Sequence, residues 1–324
     1  MNSERVEQLL ERIAVALEQL VSISDNRLLL HPATSSDTAL SKSSETAAEV
    51  LSGPADGEHG QAVLEPFLNS KGISIKVLQP EDPSDQIIDS LSIFLGERYN
   101  ALSSVLLKIK RAMQTGLPIT ESLKGRPQVD VSSVCQFCNR LHEIAFLEQY
   151  QYQRSPMYLI RAKTTTLPKA QRFFGGQWLE RFILQKVKAI HAQISAEVGS
   201  VVPFEFLINP QIVLPNGDDF ELDVLVSMGD AIYWIEAKSG DYQQYINKYS
   251  KFARTLGLDY EHSLMVLTDV VDDLCDELSS LFAMTVCNLH GFEEKLLSVV
   301  RTDIAQQGAP ADPLASASLQ QAGS

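Results

Sequence analysis

Residues 175 to about 268 predict an α/β fold with the order α-β-β-β-α-β, set behind a mainly helical segment, and three observations carry that prediction. The stretch "GGQWLERFILQKVKAIHAQI" places Trp178, Phe182, Ile183, Val187 and Ile190 on or near one stripe, as in a helix that lies on a core. After the strand "PFEFLINPQIVL", "FELDVLVSMGDAIYWIEAK" reads as two strands joined at Gly229 and Asp230, because Gly followed by Asp suits a two-residue hairpin loop. A second stripe, Tyr242, Tyr245, Ile246, Tyr249, Phe252 and Leu256, marks a helix capped by Asp241 and ended by Gly257, ahead of the short buried strand "HSLMVLT". A chain of 324 residues with 44% hydrophobic content is long enough for a proper core and two domains.

The remaining elements follow in order from the start of the chain. Residues 1–30 form an N-terminal segment whose residues 4 to about 24 read as one helix. Val6, Leu10, Ile13, Leu17 and Leu20 fall on the seam of a short coiled coil. Such a helix either pairs two chains or lies on its own domain, since three heptads are marginal alone. Residues 31–61 are rich in Ser, Thr, Ala, Gly and Pro and predict a flexible linker. Residues 62–168 predict a mainly helical domain. Ser84 or Asp85 caps a helix through "DQIIDSLSIFLGERY", "NALSSVLLKIKRAM" gives a second, and Val131 to about Leu147 a third. Two aromatic-rich segments then flank a turn at Arg154-Ser155-Pro156, so helices followed by a β-hairpin resemble a winged helix. Residues 169–304 hold the α/β core, and 305–324 read as a disordered tail.

The net charge of -14 and a pI near 4.9 argue against a protein that coats nucleic acid along its whole surface, but leave room for a local basic groove. Four cysteines, few and unevenly spaced, suit a reducing compartment better than a disulfide framework. Cys135 and Cys138 with His142 have a spacing that suggests a metal site. A single CxxC inside a predicted helix, without a second pair, fits core packing better. The start has no basic region ahead of an apolar block, and no apolar run approaches the roughly 20 residues that span a bilayer. These features predict a cytoplasmic chain without membrane contact.

The hairpin loop fixes which residues face each other. With Gly229 and Asp230 in the loop, partners across the ladder sum to 459, so Asp223 stands opposite Glu236 and Glu221 opposite Lys238, all four on one face. Like charges directly opposite each other destabilise a hairpin. The pair therefore needs full solvation or a cation between the acids, and carboxylate oxygens suit Mg²⁺ or Mn²⁺. Lys238 would then reach toward a phosphate or an attacking water, as in a metal-dependent phosphodiester hydrolase. The alternative is a half-exposed hairpin whose outer face is charged.

With these residues in place, the segment 175 to about 268 resembles the PD-(D/E)xK nuclease superfamily, whose restriction-endonuclease-like core is α-β-β-β-α-β. Asp223 matches the Asp of the second core strand, with Leu222 where the family often has Pro. Glu236 and Lys238 match the ExK of the next strand. Glu180, in "GGQWLE", sits where many members carry an acid that helps hold the metal or its water; its other reading is a solvent-facing helix acid. The "GGxWLE" start and the winged-helix-like segment before it resemble the ancillary CRISPR nucleases activated by cyclic oligoadenylate. Those carry a Rossmann-like sensor domain at the N-terminus, whereas a heptad helix and a linker take up about the first 60 residues here. Regulation by that messenger therefore does not carry over. The resemblance implies an endonuclease, DNA fitting better than RNA, with Mg or Mn held by Asp223, Glu236, Glu180 and the Ala237 carbonyl, and with Lys238 catalytic. The rival expectation is a non-catalytic nucleic-acid-binding or protein-interaction module. Lys248, Lys251 and Arg254, off the aromatic stripe of the second helix, either bind backbone phosphates or form a solvated face. Trp234 is expected in the core. A homodimer through the N-terminal helix or the winged-helix-like segment is compatible with two-strand cleavage.

Overall fold

The computed structural model describes residues 62–80, 82–240 and 242–307. The predicted coiled-coil helix, the linker, the cap Asp241 and residues 308–324 of the predicted tail lie outside the described residues. In chain order the elements are α1 (Leu64–Ser70), β1 (Ser74–Val77), α2 (Asp85–Glu97), α3 (Tyr99–Thr115), β2 (Ile119–Ser122), α4 (Gln128–Glu143), β3 (Leu147–Gln153), β4 (Leu159–Thr164) and α5 (Pro168–Arg172). A π-helical turn (Phe173–Gln177) leads to α6 (Trp178–Val198), β5 (Phe204–Ile208), β6 (Gln211–Val213), β7 (Asp219–Glu221), β8 (Val224–Met228) and β9 (Ala231–Lys238). A 3₁₀ turn (Gln243–Tyr245) precedes α7 (Ile246–Leu256), β10 (Ser263–Leu267), α8 (Asp272–Phe282), β11 (Thr285–Asn288) and α9 (Phe292–Gln307). The described chain divides into two compact units, 93–178 and 62–92 with 179–307.

In the unit 93–178, one stripe of α4 buries Val131, Val134, Phe137, Cys138 and Leu141. The antiparallel sheet β2-β4-β3 alternates with the period of a strand: Ile160, Ala162 and Thr164 of β4 are buried, and Arg161 and Lys163 between them are exposed. The predicted hairpin is present, β3 pairing with β4 around Arg154-Ser155-Pro156. The predicted third helix ends at Glu143 rather than near Leu147, because Ala145 takes a positive φ of 59° and Leu147 opens β3. The breaker-rich stretch before α4 contains β2, a strand absent from the sequence reading. Cys138 is a buried core thiol, pushed up to about 12 by burial and then by Cys135, and His142 Nδ1 lies 3.0 Å from the Leu147 carbonyl. The CxxC therefore serves packing.

The other unit is built on the sheet β11-β10-β9-β8-β5. β5, β8 and β9 run antiparallel, while β9, β10 and β11 are parallel. Every residue of β8 and β10 is buried, as expected for strands covered on both faces. Trp178, Phe182, Ile183, Val187 and Ile190 of the α6 stripe are all buried, although the helix starts at Trp178 rather than Gly175. Tyr249, Phe252 and Leu256 of α7 pack with Phe220, Leu225, Trp234 and Met265 in one cluster. Gly257 ends α7 in the left-handed region at φ 69°, where glycine carries no steric cost.

Two predicted strands are broken in this unit. "PFEFLINPQIVL" bends at Asn209, φ 50°, and Pro210, giving β5 and β6, and "FELDVLV" bends at Leu222 and Asp223, giving β7 and β8. The freed pieces β6 and β7 form a second small sheet with β1. Residues 62–92 thus join this unit rather than the helical one that follows them. β1 pairs with β6, and Glu205 accepts the N–H groups of Val63 at 2.9 Å and Leu64 at 3.2 Å, so two donors at the start of α1 find a partner. Beyond β10, the structure adds α8, β11 and α9, and residues 305–307 belong to α9 rather than to a tail. Among the described residues, no helix is long and apolar enough to cross a membrane.

Candidate active site

The β8–β9 hairpin holds the register its loop dictates. Val224 pairs with Ile235, Leu225 with Trp234 and Met228 with Ala231, around Gly229 and Asp230. One step beyond the last pair, the Asp223 N–H donates to Glu236 Oε1 at 3.3 Å, and the Ala237 N–H donates to Asp223 Oδ2 at 2.7 Å. The two acids are therefore neighbours. Asp223 is 6% exposed and Glu236 0%, so solvation does not separate their charges. The cation between them is Lys238, whose ammonium lies 3.1 Å from Asp223 Oδ2 and 3.5 Å from Glu236 Oε2. The second distance is an ion pair without hydrogen-bond geometry: Glu236 Oε2 is buried with no hydrogen-bond partner, while Oε1 also accepts from Trp234 Nε1 at 3.2 Å.

The charges do not balance. Burial, and then Asp223, hold the Glu236 carboxyl well above the usual carboxylate range. Burial, followed by Asp223, raises Glu180 to about 7, although Asn209 Nδ2 donates to its Oε2 at 2.7 Å and pulls the other way. For Lys238, burial alone would lower the pKa, but Asp223 and then Glu236 outweigh it, and the ammonium is held above its ordinary value. Three carboxyl groups thus share one ammonium in a poorly solvated place, an arrangement that is costly unless protons or a further cation supply positive charge.

Not every expected residue takes its expected place. Glu221 does not stand opposite Lys238, because the chain bends at Leu222 and Asp223 and Glu221 pairs with Gln211 in the small sheet. Its pKa is raised, by burial first and Asp223 next, so it still feels the site. Glu180 is close enough for Asp223 to shift it, yet it rests on Asn209. Among the described residues no group of three or more His, Cys, Asp or Glu side chains could hold a metal ion. Trp234 is fully buried, as expected of a core residue. Lys248 and Lys251 line a cleft of about 580 Å³ beside the β6–β7 hairpin, with the Lys248 ammonium 4.2 Å above the Phe220 ring. Arg254 instead turns its Nε onto the Ser250 carbonyl at 3.1 Å.

Two residues were missed by the sequence reading. Asn209, at the bend between β5 and β6, orients Glu180. Asn-Pro marks a turn in a sequence but not the partner of the amide. Tyr249, read as a member of the apolar stripe, places its ring 5.5 Å from the Lys238 ammonium.

No protein-family model and no curated protein matches the chain. Among solved structures, protein VC1899 from Vibrio cholerae superposes with a TM-score of 0.50 at 16% identity, covering 75% of this chain and 62% of its own length. Can2 from Sulfobacillus thermosulfidooxidans, solved in complex with cyclic tetra-adenylate, superposes with a TM-score of 0.48 at 13% identity, over 73% and 60% of the two chains. The chain spans about three-fifths of the length of these structures. At 16% identity the likeness to VC1899 is one of fold: a mixed α/β chain with helices and three sheets.

Proposed function

We propose that this chain is a metal-dependent endonuclease that hydrolyses phosphodiester bonds, with DNA a better fit than RNA. One observation carries the reading: two adjacent buried carboxylates share a single ammonium, and one of their oxygens, Glu236 Oε2, has no hydrogen-bond partner. The residues fit a divalent cation. Carboxylate oxygens are hard donors suited to Mg²⁺ or Mn²⁺, and the site has negative charge to spare. Asp223 and Glu236 would hold the ion, helped by the Ala237 carbonyl, and Glu180 would stand beside it without serving as a third acidic ligand. Such an ion supplies Lewis-acid polarisation of a phosphoryl oxygen and makes water acidic near neutral pH.

The chain's own groups divide the remaining work. Lys238, held in its ammonium form, donates to the phosphate and steadies the negative charge that develops there. That same shift makes Lys238 a poor proton acceptor, so it orients the attacking water rather than deprotonating it. Glu180, raised to about 7, is poised to take the proton near neutral pH. Asn209 holds the Glu180 carboxylate in one orientation, and the Tyr249 ring lies beside the Lys238 ammonium. The resemblance of Asp223, Glu236 and Lys238 to the PD-(D/E)xK set supports the same roles. Lys248 and Lys251 are placed to meet backbone phosphates along the cleft beside β7.

A second reading, a non-catalytic binding module, is favoured by the Lys238 ammonium itself, which already bridges both acids. Cleavage assays separate the two. Plasmid, single-stranded DNA and RNA incubated with the full chain in Mn²⁺ should reveal at least one substrate, with loss of cleavage in Lys238→Ala and Asp223→Asn. No cleavage of any of the three leaves the binding module as the better account, and undiminished cleavage by Lys238→Ala overturns the catalytic assignment to this site.

A further inference from the structure

The chain's net charge of -14 hides a division. Residues 93–178 hold 12 Lys and Arg against 5 Asp and Glu, a surplus of seven positive charges, while the rest of the chain holds 15 against 36. Of these cations Arg154, at the β3–β4 turn, is exposed, and its side chain joins no ion pair among the described residues. The same unit contains a cleft of about 660 Å³ between α4 and the β3–β4 hairpin, lined by Tyr150, Tyr152, Tyr158, Arg154, Gln128 and Asn139.

We propose that this cleft binds an unstacked base of single-stranded nucleic acid, with Arg154 at its rim holding a phosphate. Tyr150 and Tyr152 are two positions apart on β3, so their rings leave the same face of the sheet. Tyr158 stands at φ 45°, a region that bulky side chains rarely occupy, while its carbonyl accepts the Leu123 N–H at 2.7 Å. Such backbone strain clusters at ligand clamps. Aromatic faces beside cations are what a strand of splayed bases needs, and Gln128 and Asn139 bring both donors and acceptors to a base edge. A duplex offers only base edges within its grooves and would leave the ring faces unused. The Cys135 thiol in the wall is not a nucleophile here: burial holds its pKa above the ordinary value, so it stays protonated. This site does not depend on Asp223 and Glu236 holding a cation.

Anisotropy of labelled oligothymidylate and oligouridylate with the full chain, in EDTA so that no cleavage intervenes, tests the proposal beside a duplex of equal length. Single strands should bind tighter than the duplex. Tyr152→Ala should weaken single-strand binding about tenfold, and Tyr152→Phe should keep it within about twofold, because the ring and not the hydroxyl does the stacking. Arg154→Glu, at an exposed hairpin tip, tests the site even where Tyr152→Ala melts the unit. It should weaken binding and lower the salt slope by at least about one. Unchanged binding by Arg154→Glu, unchanged binding by a folded Tyr152→Ala, or a preference for duplex would each overturn the proposal. Retained cleft-dependent binding by a chain that cleaves nothing would sink the nuclease reading and support this one.

Discussion

Two buried acidic sites in this chain sit in opposite electrostatic settings. Glu121, 5% exposed on β2, is one carboxylate facing two cations: Arg126 and Lys108 both pair with it. At Asp223 and Glu236 two carboxylates, with Glu180 nearby, face one ammonium. Glu121 is what a structural ion pair looks like when its charge is satisfied and partly wet, since Lys108 is 44% exposed. The second setting leaves a surplus of buried negative charge, which stability alone would remove. A deficit of positive charge around buried acids therefore marks the place where a ligand is expected.

The largest effect that sharpens this contrast is chemical. Lys238→Ala should reduce cleavage on the order of 10²- to 10³-fold in single-turnover assays, as for loss of one preorganised donor. Lys108→Ala, which leaves Arg126 on Glu121, should leave cleavage unchanged and cost less than about 1 kcal/mol of stability. Equal losses of activity in the two variants would break the comparison.

Stability should separate the two sites by sign. In metal-free buffer, Asp223→Asn should leave the melting temperature unchanged or raise it, since Glu236 loses a like charge and keeps Lys238. Glu121→Gln should lower it by the equivalent of about 1–2 kcal/mol, less than for a fully buried pair because its cations reach solvent. A drop in both variants would show that Asp223 is purely structural.

A smaller effect follows pH. Glu180 and Glu236 are held above their ordinary values when folded, so between about pH 4.5 and about 7 the folded chain binds more protons than the unfolded one. Stability should therefore fall as pH rises through that window, on the order of a few °C for the Glu180 contribution, and Glu180→Gln should flatten the fall. A melting temperature that is flat across the window in the parent chain would contradict the charge surplus. Smallest of all, Lys248→Ala should weaken nucleic-acid binding no more than about threefold and reduce the salt slope by about one.

The sequence revealed most where one physical rule acted alone. The Gly229-Asp230 loop dictates register, so the adjacency of Asp223 and Glu236 could be read from arithmetic on residue numbers. The α6 stripe and β10, apolar from Leu264 to Leu267, were legible for the same reason: burial on one face or both leaves a pattern. The rest depended on long-range partners. Glu221 left its expected place because the chain bends at Leu222 and Asp223 to pair with β6, and no local pattern announces that bend. β1 joined the second unit through a partner about 140 residues away. The basic unit at 93–178 was obscured by averaging charge over the whole chain, although a window the size of one domain would have exposed it. Glu180 needed Asn209, which only the fold brings near.

The central claim is that Asp223 and Glu236 share a divalent cation because Lys238 alone does not balance them. Calorimetric titration of Mn²⁺ into the metal-free full chain at pH 8, where Glu180 is ionised, tests it most directly. Saturable binding of about one ion per chain, abolished by Asp223→Asn and retained by Glu121→Gln, is the predicted result. No saturable heat, or binding that Asp223→Asn leaves intact, would contradict it.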